Sequence, residues 1–257
     1  MAEAEFAGRG VVVTGGTRGI GACLAQAFLA AGAQVMVCGR AEAAAPPAAA
    51  GRTACFVRAD VRDPGQAQSL VRAAADRFGR VDVVISNAGG SPSAAAATAS
   101  PRLHAKIIEL NLIAPLHVAQ AANAVMQDQA GGGSIIMIGS VAGTRPSPGT
   151  AAYGAAKAGL HSLAASLAVE WGPQVRVNCV VPSLVLTEAA AEAGYGQAPA
   201  AAPLGRLATP ADVAAACLFL ASARAAYVSG AALLVHGGGE RPAVLAGPEN
   251  SVYPRTE

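Results

Sequence analysis

Apolar positions along the chain fall into two alternating patterns. Short runs of β-branched residues give way to longer Ala-rich segments of helical length. The run Val11-Val12-Val13-Thr14 predicts a strand. A Gly-rich turn follows, then a helix from Ile20 to Ala31 capped at Gly32. Further strands are predicted from Gln34 to Cys38, Ala54 to Arg58, Val81 to Asn87, Ser134 to Ile138, Val175 to Val181 and Ala231 to His236. Helices are predicted from Pro64 to Phe78, Arg102 to Gln129, Ala151 to Trp171 and Pro210 to Ala221. The second of these is expected to bend at Pro115. Ala41 to Ala50 and Leu186 to Ala202 read as loops.

Strands that are apolar along their whole length, alternating with helices, predict an α/β fold. Its parallel sheet, about seven strands, is doubly wound with helices on both faces. The connections must be right-handed crossovers. No linker long or polar enough to divide the chain is present, so residues 1–257 read as one domain. Residues 240–257, with three prolines, read as a C-terminal extension.

Composition removes several function classes. Hydrophobic residues make up 53% of the chain, and 65 residues are Ala. The mean hydropathy of +0.41 would suit a membrane protein. However, the longest uncharged stretches, Gly19 to Gly39 and Val83 to Pro101, are interrupted by polar residues and glycines. No stretch approaches the ~20 apolar residues of a membrane span. Met1 to Gly10 has no apolar signal region, so a cytoplasmic location is expected. A net charge of +2 without clustered Lys or Arg argues against a nucleic-acid partner. The five cysteines are widely spaced and form no Cys-x-x-Cys, which predicts reduced, buried thiols and no metal site.

The first turn carries candidate chemistry. Thr14-Gly15-Gly16-Thr17-Arg18-Gly19-Ile20-Gly21 ends a strand and opens a helix. Glycine there lets a backbone approach a pyrophosphate, and the helix end presents free N–H groups. A dinucleotide site at Gly15, Thr17, Arg18, Gly19, Ile20 and Gly21 is expected. The second strand ends in Cys38-Gly39-Arg40, without the carboxylate that would hold a ribose 2′-OH. Arg40 and Arg18 suit a 2′-phosphate instead, so NADP(H) is expected over NAD(H).

Lysine is scarce: the 18 basic residues include only Lys106 and Lys157. Lys157 stands four residues after Tyr153, on the same helical face. With four Tyr and two Lys, chance pairs at this spacing should number about 0.03. A nearby ammonium favours the phenolate and lowers a tyrosine pKa. Ser140, just past the fifth predicted strand, could hydrogen-bond a substrate oxygen beside the tyrosine hydroxyl.

The ordered set Thr14-Gly15-x-x-x-Gly19-Ile20-Gly21, Asp60-Val61, Asn87-Ala88-Gly89, Asn111, Ser140, Tyr153-x-x-x-Lys157, Arg176-Val177-Asn178, Pro182 and Thr187 resembles the short-chain dehydrogenase/reductase family. The resemblance covers nearly the whole chain and implies a single-domain, Rossmann-like fold. It implies that Asp60 meets the adenine amine, with Val61 beside it. Asn87, Ala88 and Gly89 would support the sheet and line the adenosine ribose. Asn111 would hold a water in a proton relay. Lys157 would bind the nicotinamide ribose and lower the Tyr153 pKa. Pro182 and Thr187 would frame the nicotinamide and its phosphate. The implied catalytic set is Ser140, Tyr153, Lys157 and Asn111, acting on a carbonyl or secondary alcohol.

Two positions depart from the family pattern. Ser183 replaces the usual Gly after Pro182, which puts the loop geometry there in question. His236 stands where the last strand usually ends in Asp, and reads as structural or as part of a subunit interface. The expected substrate walls, Gly90 to Ala97, Val141 to Gly149 and Ser183 to Ala202, are mostly Ala, Gly, Ser and Pro. Arg145 and Tyr195 are their larger features. An open, apolar pocket for a small molecule is expected. An acyl-carrier reductase of lipid or polyketide synthesis is an alternative, but Trp171-Gly172-Pro173-Gln174 lacks the basic residues expected beside the carrier. A nucleotide-binding regulator with little catalysis is another. The Ala-rich faces of the long helices predict a homotetramer or homodimer.

Overall fold

A computed structural model describes residues 5–192 and 202–239. Tyr195 and the extension 240–257 lie outside the described residues. The Val run forms β1 (Gly10–Thr14), buried along its whole length as expected for the middle of a parallel sheet. After α1 (Gly19–Ala30), β2 (Gln34–Gly39) pairs parallel to it, Val11 opposite Val35. A small antiparallel hairpin, β3 (Ala48–Ala49) and β4 (Arg52–Thr53), follows within the region read as a loop and just beyond it. Ala50 and Gly51 at its tip have φ of 51° and 73°. Two consecutive left-handed residues make a tight hairpin turn, and the alanines around it carry no strand signal of their own.

The rest of the chain runs β5 (Cys55–Arg58), α2 (Pro64–Phe78), β6 (Val83–Ser86) and α3 (Pro101–Ile108). A π-helical turn (Glu109–Ile113) leads into α4 (Ala114–Met126) and β7 (Gly133–Ile138). A 3-10 turn (Val141–Gly143), α5 (Ala151–Trp171), β8 (Val175–Pro182), α6 (Glu188–Glu192), α7 (Pro210–Ala221) and β9 (Ala232–Val235) complete it. The seven-stranded sheet has the order β5-β2-β1-β6-β7-β8-β9, and all its pairs are parallel. From β1 the chain winds outward to β5, then returns to β6 and winds the other way. The reversal between β1 and β6 opens a crevice at the carboxyl ends of these strands.

Strand alternation sorts the core into two layers. Val12, Met36, Val84, Ile135 and Val177 face α2, α4 and α5. Val11, Val35, Ile85, Ile136 and Val180 face α1 and α7. Alanines fill much of both helical layers, which lets the helices lie close to the sheet.

Two sequence expectations need correction. The helix read from Arg102 to Gln129 is not one helix bent at Pro115, and it ends at Met126. It starts at Pro101 and opens into the π-helical turn before Pro115. The Ala114 N–H bonds Glu109 O, five residues back, and Pro115 has no N–H to give. The Leu110 and Asn111 carbonyls thereby lose their ordinary donors four residues on. The second correction is α6, which lies in the segment read as a loop from Leu186.

At the opposite sheet edge, Asp82 is buried and receives Arg80 Nε at 2.7 Å, Arg9 Nη1 at 2.8 Å and Gly10 N–H at 2.9 Å. Burial alone would raise its pKa, but these hydrogen bonds outweigh it and hold the carboxyl below its usual range.

Candidate active site

The residues singled out in the sequence converge on the carboxyl edge of the sheet. The first turn holds its shape through side chains from β1 and the loop after β6. Thr14 Oγ1 accepts the N–H groups of Asn87 and Ala88, both at 3.0 Å. Asn87 Nδ2 donates to the carbonyls of Thr14 (2.9 Å) and Gly15 (3.2 Å). These bonds tie the two turns flanking the crevice into one unit. Gly15 and Gly19 have φ of 63° and 54°, where a side chain is strained. A Cβ on Gly16 would lie 2.6 Å from Val37 Cγ1, and one on Gly21 would lie 2.6 Å from Asn87 Nδ2.

At the start of α1, Arg18 is exposed and makes no side-chain cap, and the first turn carries no acid. The first N–H groups of α1 thus have no side-chain cap and stand at the positive end of the helix, where an anion would be favoured. Thr187 closes the other side: its methyl is the nearest atom to a Cβ built on Gly19, at 3.6 Å. Thr187 Oγ1 accepts the Ala190 N–H at 3.2 Å, at the start of α6. These residues fit a dinucleotide pyrophosphate.

Along β2 and β5, Gly39 pairs with Arg58, and the Ala59 N–H reaches Gly39 O at 3.1 Å. Arg40 is thus beside Asp60, and its charge contributes to lowering the Asp60 carboxyl. The larger cause is Arg62, whose guanidinium grips that carboxylate. Arg62 Nε lies 2.9 Å from Oδ1, and Nη2 bonds Oδ2. The sequence reading placed Asp60 in the site but missed its partner. The i, i+2 spacing of Asp60 and Arg62 was the available signal. Val61 is buried beneath them.

The catalytic candidates sit around the next loops. Ser140 precedes the 3-10 turn and accepts the Ala142 N–H at 3.2 Å. It stands near the Tyr153 hydroxyl and draws the phenol's pKa down against the effect of burial. Lys157, one turn along α5, is buried and donates from Nζ to Ile138 O at 2.7 Å. The same Nζ lies 5.6 Å from the centre of the Tyr153 ring. Asn111, in the π-helical turn, is fully buried. It clamps Gly90 from both sides, accepting its N–H and donating to its carbonyl, each at 2.9 Å. A Cβ on Gly89 would lie 2.8 Å from Asn111 Oδ1 and 3.5 Å from Lys157 Nζ, so the three converge on one point.

The electrostatics of the chain by itself differ from one expectation. Burial raises the Tyr153 pKa, and Ser140, not Lys157, draws it down. Lys157 gives one N–H to Ile138 O, and burial pushes its own ammonium down to about 8. His161, a further turn along α5, is held below the usual imidazole range by burial and then by Lys157.

These shifts set a pH dependence of stability. The folded chain releases the Lys157 proton near 8 and the unfolded chain near 10.5, so Lys157 adds stability as pH rises between them. The buried thiols act oppositely. Burial raises Cys38 to about 11 and Cys179 to about 12, and raises Cys217 as well, from an ordinary 9.0. Above pH 9 the unfolded chain loses three protons that the folded chain keeps. At ~1.4 kcal/mol per group per pH unit, three thiols against one lysine give a net loss of roughly 2–3 kcal/mol per unit. Denaturant unfolding under reducing conditions should show stability highest near pH 8 to 9 and falling steeply by pH 10. A rise between pH 9 and 10 would contradict the buried-thiol assignment.

Pro182 ends β8, buried. Ser183 donates its N–H to Val235 O at 3.1 Å, and its φ is not positive, so the position does not require the usual glycine. His236 follows β9 and accepts the Gly239 N–H at 3.2 Å, away from Tyr153 in the chain order of the sheet. Arg145 lies in the loop after the 3-10 turn and donates to Pro146 O.

A doubly wound parallel sheet, a glycine turn at its switch point and a Ser–Tyr–Lys cluster beside it define a Rossmann-like enzyme. Comparison with known proteins narrows this further. A family profile described as "Enoyl-(Acyl carrier protein) reductase" matches residues 15–240. An L-rhamnose 1-dehydrogenase (NAD(P)(+)) of Sphingomonas is 38% identical, covering 90% of this chain and 96% of the relative. A 3alpha-hydroxysteroid dehydrogenase of Mediterraneibacter gnavus is 35% identical, covering 88% and 94%. The structure of Thermoplasma acidophilum aldohexose dehydrogenase superposes with a TM-score of 0.83 at 26% identity, covering 92% of this chain and 95% of that one. The chain belongs to the short-chain dehydrogenase/reductase family of oxidoreductases. Among the described residues no helix is long and apolar enough to cross a membrane.

Proposed function

We propose that the protein is an NADP(H)-preferring oxidoreductase that interconverts a secondary alcohol and its ketone, with Tyr153 as the acid–base group. The observation that carries this reading is the cluster of Tyr153, Ser140 and buried Lys157, with Lys157 Nζ 5.6 Å from the Tyr153 ring centre and close to Gly89 at the crevice. When bound, the nicotinamide cofactor supplies or accepts the hydride.

The chain's own residues do the rest. In the reducing direction Tyr153 Oη donates a proton to the carbonyl oxygen. Ser140 Oγ donates a hydrogen bond to the same oxygen, where negative charge develops. Lys157 lies close to Gly89 and can reach a ribose hydroxyl placed there, as well as passing a proton toward Tyr153. The Asn111 side chain is committed to Gly90, so its relay role falls to its main-chain carbonyl, which the π-helical turn and Pro115 deprive of an ordinary donor. That carbonyl can hold a water beside Lys157.

Arg18 and Arg40 follow Thr17 and Gly39, which pack against each other, and no acid ends β2; this supports NADP(H). An open groove between α4 and α5, lined by Leu116, Leu163, Leu167 and Trp171, supports assembly of homodimers or homotetramers on that face. A regulator without catalysis has no need for this cluster. The acyl-carrier reading is kept because the family profile is described as a carrier-protein reductase.

The test is a substrate panel followed by NADPH absorbance. It should include aldoses, hydroxysteroids and simple ketones, with acyl thioesters as the discriminating arm. Turnover on at least one alcohol or ketone, faster than on any thioester, is the expected result. Preferential reduction of thioesters would replace the reading with the acyl-carrier one.

A further inference from the structure

Ser140 and the acceptor of Lys157 belong to one short segment, Ile138 to Gly143, where the chain leaves β7 and enters the 3-10 turn. Lys157 Nζ donates to Ile138 O at 2.7 Å, and the Gly139 N–H donates to Val180 O at 2.7 Å. The ladder with β8 ends there. Ser140 is then held by its own turn, accepting the Ala142 N–H on Oγ at 3.2 Å and the Gly143 N–H on its carbonyl at 2.9 Å.

The support beneath this segment is His161, one turn after Lys157 on α5. A Cβ built on Gly139 would lie 2.5 Å from His161 Nε2 and 3.0 Å from its Cδ2. One built on Gly143 would lie 3.0 Å from His161 Cε1. A single edge of the imidazole therefore rests against the chain on both sides of Ser140, and the two glycines leave room for it. Nε2 is buried and has no hydrogen-bond partner among the described residues. A buried nitrogen without a partner costs stability, which an apolar side chain would avoid. Packing alone does not account for histidine here, and local rules of this kind are broken most often where function requires it. Burial and then Lys157 keep the ring neutral, so it adds no second cation beside Lys157.

We infer that His161 is a positioning residue for Ser140: its ring edge props the Gly139–Gly143 segment so that Ser140 Oγ meets the substrate oxygen beside Tyr153. The inference rests on the role proposed above for Ser140. His161 is assigned no contact with substrate or cofactor; its effect passes through Ser140.

A double-mutant cycle on the full chain tests this, with steady-state kinetics, nucleotide fluorescence and thermal unfolding as readouts. His161→Leu should lower kcat about tenfold, the order expected when a donor to developing charge is displaced but not lost. KM and NADPH affinity should stay within about threefold, because the displaced contact acts in the transition state. Tm should equal that of wild type or exceed it, since the unpartnered nitrogen is gone. His161→Gln, whose amide end reaches the place of Nε2, should recover kcat to within about threefold of wild type. His161→Asn, polar but too short to reach Gly139, should match His161→Leu and takes its place if the Leu chain does not fold. Ser140→Ala should lower kcat about a hundredfold. Adding His161→Leu to it should cost less than about twofold more, because the hydroxyl being positioned is gone. An unchanged kcat in His161→Leu overturns the inference, and so does a full tenfold loss on top of Ser140→Ala. Loss of folding in all three His161 variants makes the residue structural and overturns it too. Undiminished turnover in Ser140→Ala overturns the reading of Ser140 itself.

Discussion

Tyr153→Phe should fold, bind NADPH with little change, and turn over about a thousandfold more slowly than wild type. The substitution removes one oxygen and keeps the ring. The packing of α5 against β8 and the 3-10 turn is therefore retained, as is the approach of Lys157 to the ring face. What goes is the hydroxyl near Ser140, which is the proposed proton donor. Nothing else described beside it can replace that donor cheaply. Ser140 has too high a pKa to serve at neutral pH, and in the proposed mechanism Lys157 passes its proton only by way of the Tyr153 hydroxyl that the substitution removes. The measurement is NADPH consumption at saturating substrate, with nucleotide fluorescence and thermal unfolding as controls. Activity within tenfold of wild type would remove Tyr153 as the proton donor.

The second large effect is expected at Gly21→Ala. In an unconstrained helix this change would stabilise by up to ~1 kcal/mol, because alanine loses less entropy than glycine. Gly21 is not unconstrained. The added methyl would lie 2.6 Å from Asn87 Nδ2 and 2.8 Å from the Gly15 carbonyl carbon. To relieve this, α1 must move away from β1 or the Asn87 bonds to Thr14 and Gly15 must break. We expect a loss of about 2–4 kcal/mol in stability, the cost of overpacking rigid backbone. Cofactor affinity should fall by more than tenfold, because the same shift misplaces the free N–H groups at the start of α1. Gly19→Ala is the contrasting control. Its φ of 54° is strained, but its methyl would meet only Thr187 at 3.6 Å. Calorimetry and NADPH titration of the two variants should rank Gly21→Ala as the worse in both. A Gly21→Ala protein more stable than wild type would show that the turn is looser than its geometry.

Much of the molecule was legible in local pattern. The apolar runs placed all seven sheet strands to within two residues, and α7 from Pro210 to Ala221 was read without error. The pairing of a glycine turn with a Tyr–Lys spacing located both halves of the site, because each is a short-range feature. Periods of 2 and 3.6 are properties of neighbouring residues, so they survive in a one-dimensional reading. The break at Glu109–Ile113 was less legible. Pro115 signalled trouble in the helix, but whether the chain kinks or inserts a π-helical turn depends on where Asn111 must reach, and Gly90 is 21 residues away.

The sequence by itself determined the α/β class and the doubly wound sheet, and it named the candidate reactive side chains. Those follow from hydrophobic period, turn chemistry and spacing. Only the tertiary structure decided what each reactive group meets. It set Lys157 on the Ile138 carbonyl, Ser140 beside Tyr153, Asn111 on Gly90 and Asp60 in the grip of Arg62. Most of these contacts join segments brought together by the parallel sheet, and burial there lowers the Lys157 pKa and raises that of Tyr153. The lysine scarcity pointed to Lys157; the fold shows it buried, its pKa lowered, and one of its N–H groups given to Ile138 O.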